Sequence, residues 1–133
     1  MFLMEVERAE LENYPLAQLV RTFYDETSKG FIMTSLMFVT GRCSRLIGKM
    51  AECSEISEGE VQDVLSRVSS TRFNGATNRE QSLKMLREQI DAEFRTDVIG
   101  YGPLMGSRPV RNYILLMALA HDNMWRIIEN REK

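Results

Sequence analysis

The sequence predicts an all-α protein, a single five-helix bundle with helices two and five central. Two patterns and one absence carry that expectation. Apolar residues recur at intervals of three and four along most of the chain. Helix starts and stops punctuate those stripes at regular places. No pair of stretches alternates apolar and polar residues as two partnered strands would. With 133 residues, 44% apolar and 27% charged, the chain has the size and mixture of one globular domain, spanning residues 1–133.

Residues 1–12 are ambiguous. Phe2, Met4 and Val6 alternate like a strand, Leu3, Val6 and Glu10 fit a helix, and a flexible or docking arm is expected. Asn13 can cap the first helix and Pro15 suits its first turn. Leu16, Leu19, Val20 and Phe23 form its stripe, and Lys29-Gly30 ends it, so helix one spans roughly 14–28. Helix two is expected from about Phe31 to Cys53. Its first half, Phe31 to Val39, is apolar nearly all round and belongs in the centre. Its second half aligns Cys43, Leu46, Ile47 and Met50, while Gly41 and Gly48 suggest close packing or a bend.

Ser57 and Glu60 form a capping box opening helix three, whose stripe is Val61, Val64, Leu65 and Val68. Thr77 and Glu80 form a second box, opening helix four with Leu83, Leu86, Ile90 and Phe94. Glycines 100, 102 and 106 with Pro103 make a loop before Pro109 opens helix five. That helix carries Val110, Tyr113, Ile114, Met117, Leu119, Met124, Trp125 and Ile128. Leu36, Val39, Leu46, Leu116 and Leu119 are the expected core.

Composition excludes several classes. The longest apolar run, Tyr113 to Ala120, is eight residues, far short of the roughly 20 of a membrane span. No segment reads as a secretory signal. Cys43 and Cys53 stand ten positions apart, about 15 Å along a helix, which is too far for a disulfide. A reduced, cytoplasmic protein without a cofactor is expected.

Charge is blocked along the chain. Residues 42–51 carry +3, residues 52–63 carry −5 and residues 64–87 carry +4, within a net charge of −2. Such alternation suits association of copies or docking in a larger assembly, or neutralisation between neighbouring helices. Of 17 cations, 13 are Arg, the residue whose planar fork best recognises phosphate.

Three cationic features stand out. Arg42, Arg45 and Lys49 share one face of helix two with no internal counter-charge. Arg72 and Phe73 lie in the stretch Ser69 to Gly75, expected as a flexible loop, where a base could stack on the ring while the guanidinium holds a phosphate. The alternative places Phe73 in the core. Ser107, Arg108 and Arg111 end the glycine-rich loop at the N-terminus of helix five, where free N–H groups favour an anion. There the alternative is an ordinary salt bridge. On helix four, Glu80, Lys84, Arg87, Glu88, Asp91 and Arg95 form a ladder expected to pair with itself.

His121, the only histidine, reads as a structural residue, because Asp122 beside it points about 100° away. The cysteines have no companions at zinc-ligand spacing. The acidic run offers an alternative chemistry: Glu52 and Glu55, with Glu60 and Asp63, could converge on Mg²⁺. That spacing resembles the E-x-x-E and E-x-x-D signature of all-α nucleotide pyrophosphohydrolases, although only four residues separate the halves here.

In length, helicity and the basic residues Arg42, Arg45, Lys49, Arg72 and Arg108, the chain resembles the small α-helical subunit of multi-subunit CRISPR effector complexes. The resemblance implies a helical bundle in antiviral defence that stacks in copies within a ribonucleoprotein. It also implies contact with a single-stranded or RNA–DNA duplex backbone through scattered cations. No individual residue role carries over. The expected function is thus a non-enzymatic assembly subunit touching nucleic-acid phosphate. A homo-oligomeric regulator or adaptor and the Mg²⁺ hydrolase are the alternatives.

Overall fold

A computed structural model describes residues 14–28, 41–94 and 108–131. Those residues form five α-helices and no strand: α1 (Tyr14–Ser28), α2 (Gly41–Ser54), α3 (Glu58–Phe73), α4 (Arg79–Phe94) and α5 (Arg108–Arg131). The all-α expectation holds, with α2 and α5 each packed against several other helices. α5 contacts α1, α2 and α3; α2 contacts α1, α3 and α5; α4 packs on α3. The expected arm, the first half of helix two with Leu36 and Val39, and the loop through Ser107 lie outside the described residues.

The stripes read from the sequence face inward. Leu16, Val20 and Phe23 of α1 are buried with Leu46, Ile47 and Met50 of α2 and Val61, Val64, Leu65 and Val68 of α3. Every residue of α5 from Tyr113 to His121 is buried, as a helix surrounded by neighbours requires. Leu116 and Leu119 are buried, as expected, and so is Leu46 of α2. The Phe23 and Tyr24 rings meet edge to face at 5.5 Å, and burial pushes the Tyr24 phenol well above its ordinary range. Among the described residues no helix is long and apolar enough to cross a membrane.

The caps match one expected boundary and correct another. Ser57 opens α3 as expected, its Oγ accepting the Glu60 N–H at 3.1 Å and donating to the Glu60 carboxylate. The second capping box is displaced by one residue. Asn78 rather than Thr77 caps α4, its Oδ1 accepting the Gln81 N–H at 3.0 Å. Gln81 in turn accepts from the Thr77 N–H and hydroxyl at 2.8 Å, so the returning side chain is Gln81 and not Glu80. Asn at the cap, with Gln three residues on, satisfies the same free N–H groups one step later.

The stretch from Ser69 to Phe73 is the last part of α3 and not a flexible loop. Its end is a Schellman turn: the Gly75 N–H reaches Arg72 O and the Ala76 N–H reaches Thr71 O, with Gly75 at φ +102°. α2 ends in the same way. The Glu55 N–H reaches Glu52 O and the Ile56 N–H reaches Ala51 O, but here Glu55 takes the left-handed position at φ +56°. Gly48 sits where α2 meets the start of α3: a Cβ there would lie 3.0 Å from the Glu58 carboxylate. Its small size therefore permits the close packing that its place in the sequence suggested.

Candidate functional site

The polar side chains fall into two groups, one woven through α5 and one spread over the α2–α3 hairpin. Within the first, Arg79 opens α4, where the positive end of the helix dipole disfavours a cation. Two carboxylates of α5 offset that. Arg79 Nη1 donates to Asp122 Oδ1 at 2.7 Å, and its Nη2 and Nε donate to both oxygens of Glu129 at 2.8 and 3.3 Å. The Glu129 hydrogen bonds, followed by those of Asp122, hold the guanidinium pKa above its ordinary value against the opposing effect of burial.

Arg126 does the same between α5 and α1. Its Nη2 donates to Asp25 Oδ1 and Asn123 Oδ1 at 2.9 Å, while Asn123 Nδ2 donates to Leu119 O. Neither arginine stood out in the sequence, because their partners lie 43 to 101 positions away.

Beneath Arg79 lies a buried hydroxyl chain. His121 Nε2 is 2.9 Å from Ser82 Oγ, which is 2.8 Å from Thr71 Oγ1, and Thr71 donates to Val68 O at 2.8 Å. Each hydroxyl has one proton, and Val68 O only accepts. Thr71 therefore donates to Val68, Ser82 to Thr71, and His121 to Ser82, which places the neutral ring's proton on Nε2. Burial first, and the nearby Arg79 charge second, pull the His121 pKa down to about 4. Ser82 is itself fully buried, so the Ser–His contact holds α4 to α5 and presents no nucleophile to solvent. The structural reading of His121 agrees with this geometry, and Asp122 turns to Arg79 instead of to the ring.

On the hairpin, Arg45 and Lys49 are exposed and form no ion pair among the described residues; the Arg42 side chain lies outside them. Arg72 is exposed and its guanidinium stacks 5.2 Å from the centre of the buried Trp125 ring. Among the described residues the Trp125 Nε1 has no hydrogen-bond partner, and the Arg72 cation lies over the ring face. Phe73 is 64% exposed, the one exposed large apolar side chain among the described residues, and does not anchor into the core. The three-residue turn between α2 and α3 makes them antiparallel neighbours. Arg45 at the start of α2 and Arg72 with Phe73 at the end of α3 therefore lie toward one end of the hairpin. The acidic run lies toward the other.

The carboxylates of that acidic run are not gathered into one cluster among the described residues. No group of three or more potential ligands comes together among the described residues. Each member has local work instead. Glu60 serves the Ser57 cap, and Asp63 accepts from the Tyr113 hydroxyl at 2.5 Å and from Arg67 Nε at 3.0 Å. Glu55 supplies the left-handed turn, and Glu52 points into solvent. On the α4 ladder Lys84 closes no ion pair with Glu80 or Glu88, and the Asp91 and Arg95 side chains lie outside the described residues. At the start of α5, Arg111 is exposed but already has an interaction partner, while Ser107 and the Arg108 side chain lie outside the described residues.

No known family, no curated protein and no solved structure matches the chain. The geometry alone supports any functional reading.

Proposed function

We propose that the protein is a non-enzymatic helical subunit of a larger ribonucleoprotein assembly, contacting nucleic-acid phosphate without sequence preference through the α2–α3 hairpin. The observation that carries the reading is the state of Arg45 and Lys49. They are exposed and, among the described residues, unpaired, on a helix whose opposite face is core, whereas Arg67, Arg79 and Arg126 are each committed to a carboxylate. Phosphate contacts need cations of the first kind, because a cation already paired inside the chain gives up one hydrogen-bonded partner for another.

Phe73 adds a ring face for an unpaired base at the same end of the hairpin, and the stacked Arg72 adds a guanidinium. The net charge of −2 is no obstacle to a local patch, since screening confines exposed charges to about 10 Å at ordinary salt.

Fluorescence anisotropy with labelled single-stranded and duplex oligonucleotides at two salt concentrations tests the proposal. Binding that weakens with salt and disappears in Arg45→Glu/Lys49→Glu, with circular dichroism unchanged, supports it. Absence of binding at low salt, or binding indifferent to the double substitution, overturns it.

A further inference from the structure

Asp122 and Arg126 stand four residues apart on one face of α5, the spacing at which opposite charges ordinarily close an ion pair. They do not pair with each other. Asp122 is drawn away to Arg79 on α4, and Arg126 to Asp25 on α1. Between them a groove of about 300 Å³ opens along the α1–α5 seam. Its apolar lining comes from Ala17 and Leu119, and Arg21 of α1 stands on its wall.

The charged groups around the groove are only half used. Arg126 Nη1 has no acceptor among the described residues, although Nε and Nη2 are both engaged. Among the described residues the one carboxylate paired with Arg21 is that of Asp25, at 4.0 Å, which also accepts from Arg126. On the opposite side, Asp122 accepts through Oδ1 alone, and its Oδ2 has no donor among the described residues. The groove therefore presents spare donors on one side, a spare anionic acceptor about one helical turn away, and apolar surface between. Asn123, itself buried, locks the Arg126 head by accepting from it twice.

We propose that this groove binds a small zwitterion, a free α-amino acid with an apolar side chain. Its carboxylate is held by Arg126 and Arg21, its ammonium by Asp122, and its side chain lies on Ala17, above the buried Leu119. A carboxylate alone would face Asp122, and an amine alone would face two guanidinium groups. Only a molecule carrying both charges a few ångströms apart matches both sides. Its size suits the volume, which is at the lower end for small-molecule pockets. The inference is independent of nucleic-acid contact, since it uses none of the hairpin residues.

Titration of the ¹⁵N-labelled protein with leucine, isoamylamine and 4-methylvalerate, followed through the amides of Leu119 and Asn123, tests it. Leucine should shift these signals saturably, with each one-charge analogue at least about tenfold weaker. Asp122→Asn and Arg21→Gln should each weaken leucine by a similar factor. Arg21 is exposed, so its substitution spares the fold if loss of the Asp122–Arg79 pair does not. Equal binding of 4-methylvalerate, insensitivity to both substitutions, or no saturable shift with leucine at concentrations of about 10 mM overturns the proposal.

Discussion

Arginine has opposite fates in two regions of this protein. Along α5, Arg79 and Arg126 are half-buried, each held by side chains of another helix, and they tie α4 and α1 to the central helix. On the α2–α3 hairpin, Arg45 and Lys49 stand in solvent with no such commitment among the described residues. Both sets are cationic and both include arginine, so what separates them is what faces them across the fold. A cation opposite a carboxylate of a packed neighbour serves the architecture. One on an outward face remains available to a partner. Stability should therefore respond to changes around α5, and binding to changes on the hairpin.

The largest expected effect lies under the clamps. Leu116 is fully buried in the middle of α5, so Leu116→Ala should cost about 2–5 kcal/mol in denaturant unfolding. Oligonucleotide affinity of the remaining folded protein should be unchanged.

Next comes pH. His121 has a folded pKa of about 4 against 6.5 in the unfolded chain, so the unfolded state takes up its proton first as pH falls. The sign follows: stability is full above about pH 6.5 and declines toward pH 4, by on the order of 3 kcal/mol at most. His121→Gln should flatten that part of the stability–pH curve, whatever it does to the plateau. The ring's proton on Nε2 should be visible directly in its ¹⁵N shifts at neutral pH.

Arg79→Met removes three hydrogen bonds but leaves Asp122 and Glu129 able to turn to water. A loss of about 1–2 kcal/mol is expected by thermal unfolding, the range for charge-assisted bonds reduced by solvent screening. Within the hairpin itself, Glu55 occupies the left-handed position that Gly75 occupies at the end of α3. Glu55→Gly should raise stability by up to about 1 kcal/mol, the steric relief being partly offset by the freer unfolded chain. Oligonucleotide binding should not change in either variant.

The contrast between the regions also marks how far the sequence could be read. Helices and stripes follow from local spacing, so α1, the start and stripe of α3 and the inward face of α5 were foreseen nearly to the residue. Caps were foreseen where one side chain dominates, as at Ser57. They shifted where Thr77 and Asn78 compete, because both can accept the same N–H groups. The end of α3 was misplaced because Ser69 to Thr71 look like loop residues. Their hydroxyls are absorbed, however: Ser70 donates to Ser66 O, Thr71 to Val68 O, and Gly75 closes the turn.

The basic face of Arg45 and Lys49 could be seen because its signal, cations without carboxylates at helical spacing, is local. The clamps could not, since nothing near Arg79 or Arg126 announces a partner on another helix. The reasoning that two arginines at a helix start need anionic partners was sound in principle. Its clear instance is Arg79, whose carboxylates arrive from α5. Likewise the acidic run suggested a metal by spacing, but the turn at Glu55 and the Asp63–Tyr113 contact disperse it.

The salt dependence of single-strand binding tests the division between committed and available cations most directly. Anisotropy titrations across a salt series should compare the wild type, Arg45→Gln/Lys49→Gln and Arg67→Gln. If Arg45 and Lys49 contact phosphate, the double substitution should lower the slope of log K against log salt by about 1.4, two contacts at roughly 0.7 each. Arg67→Gln, which removes a cation already paired with Asp63, should leave the slope unchanged. Equal slopes for the wild type and the double variant, or a larger fall with Arg67→Gln, would contradict the account.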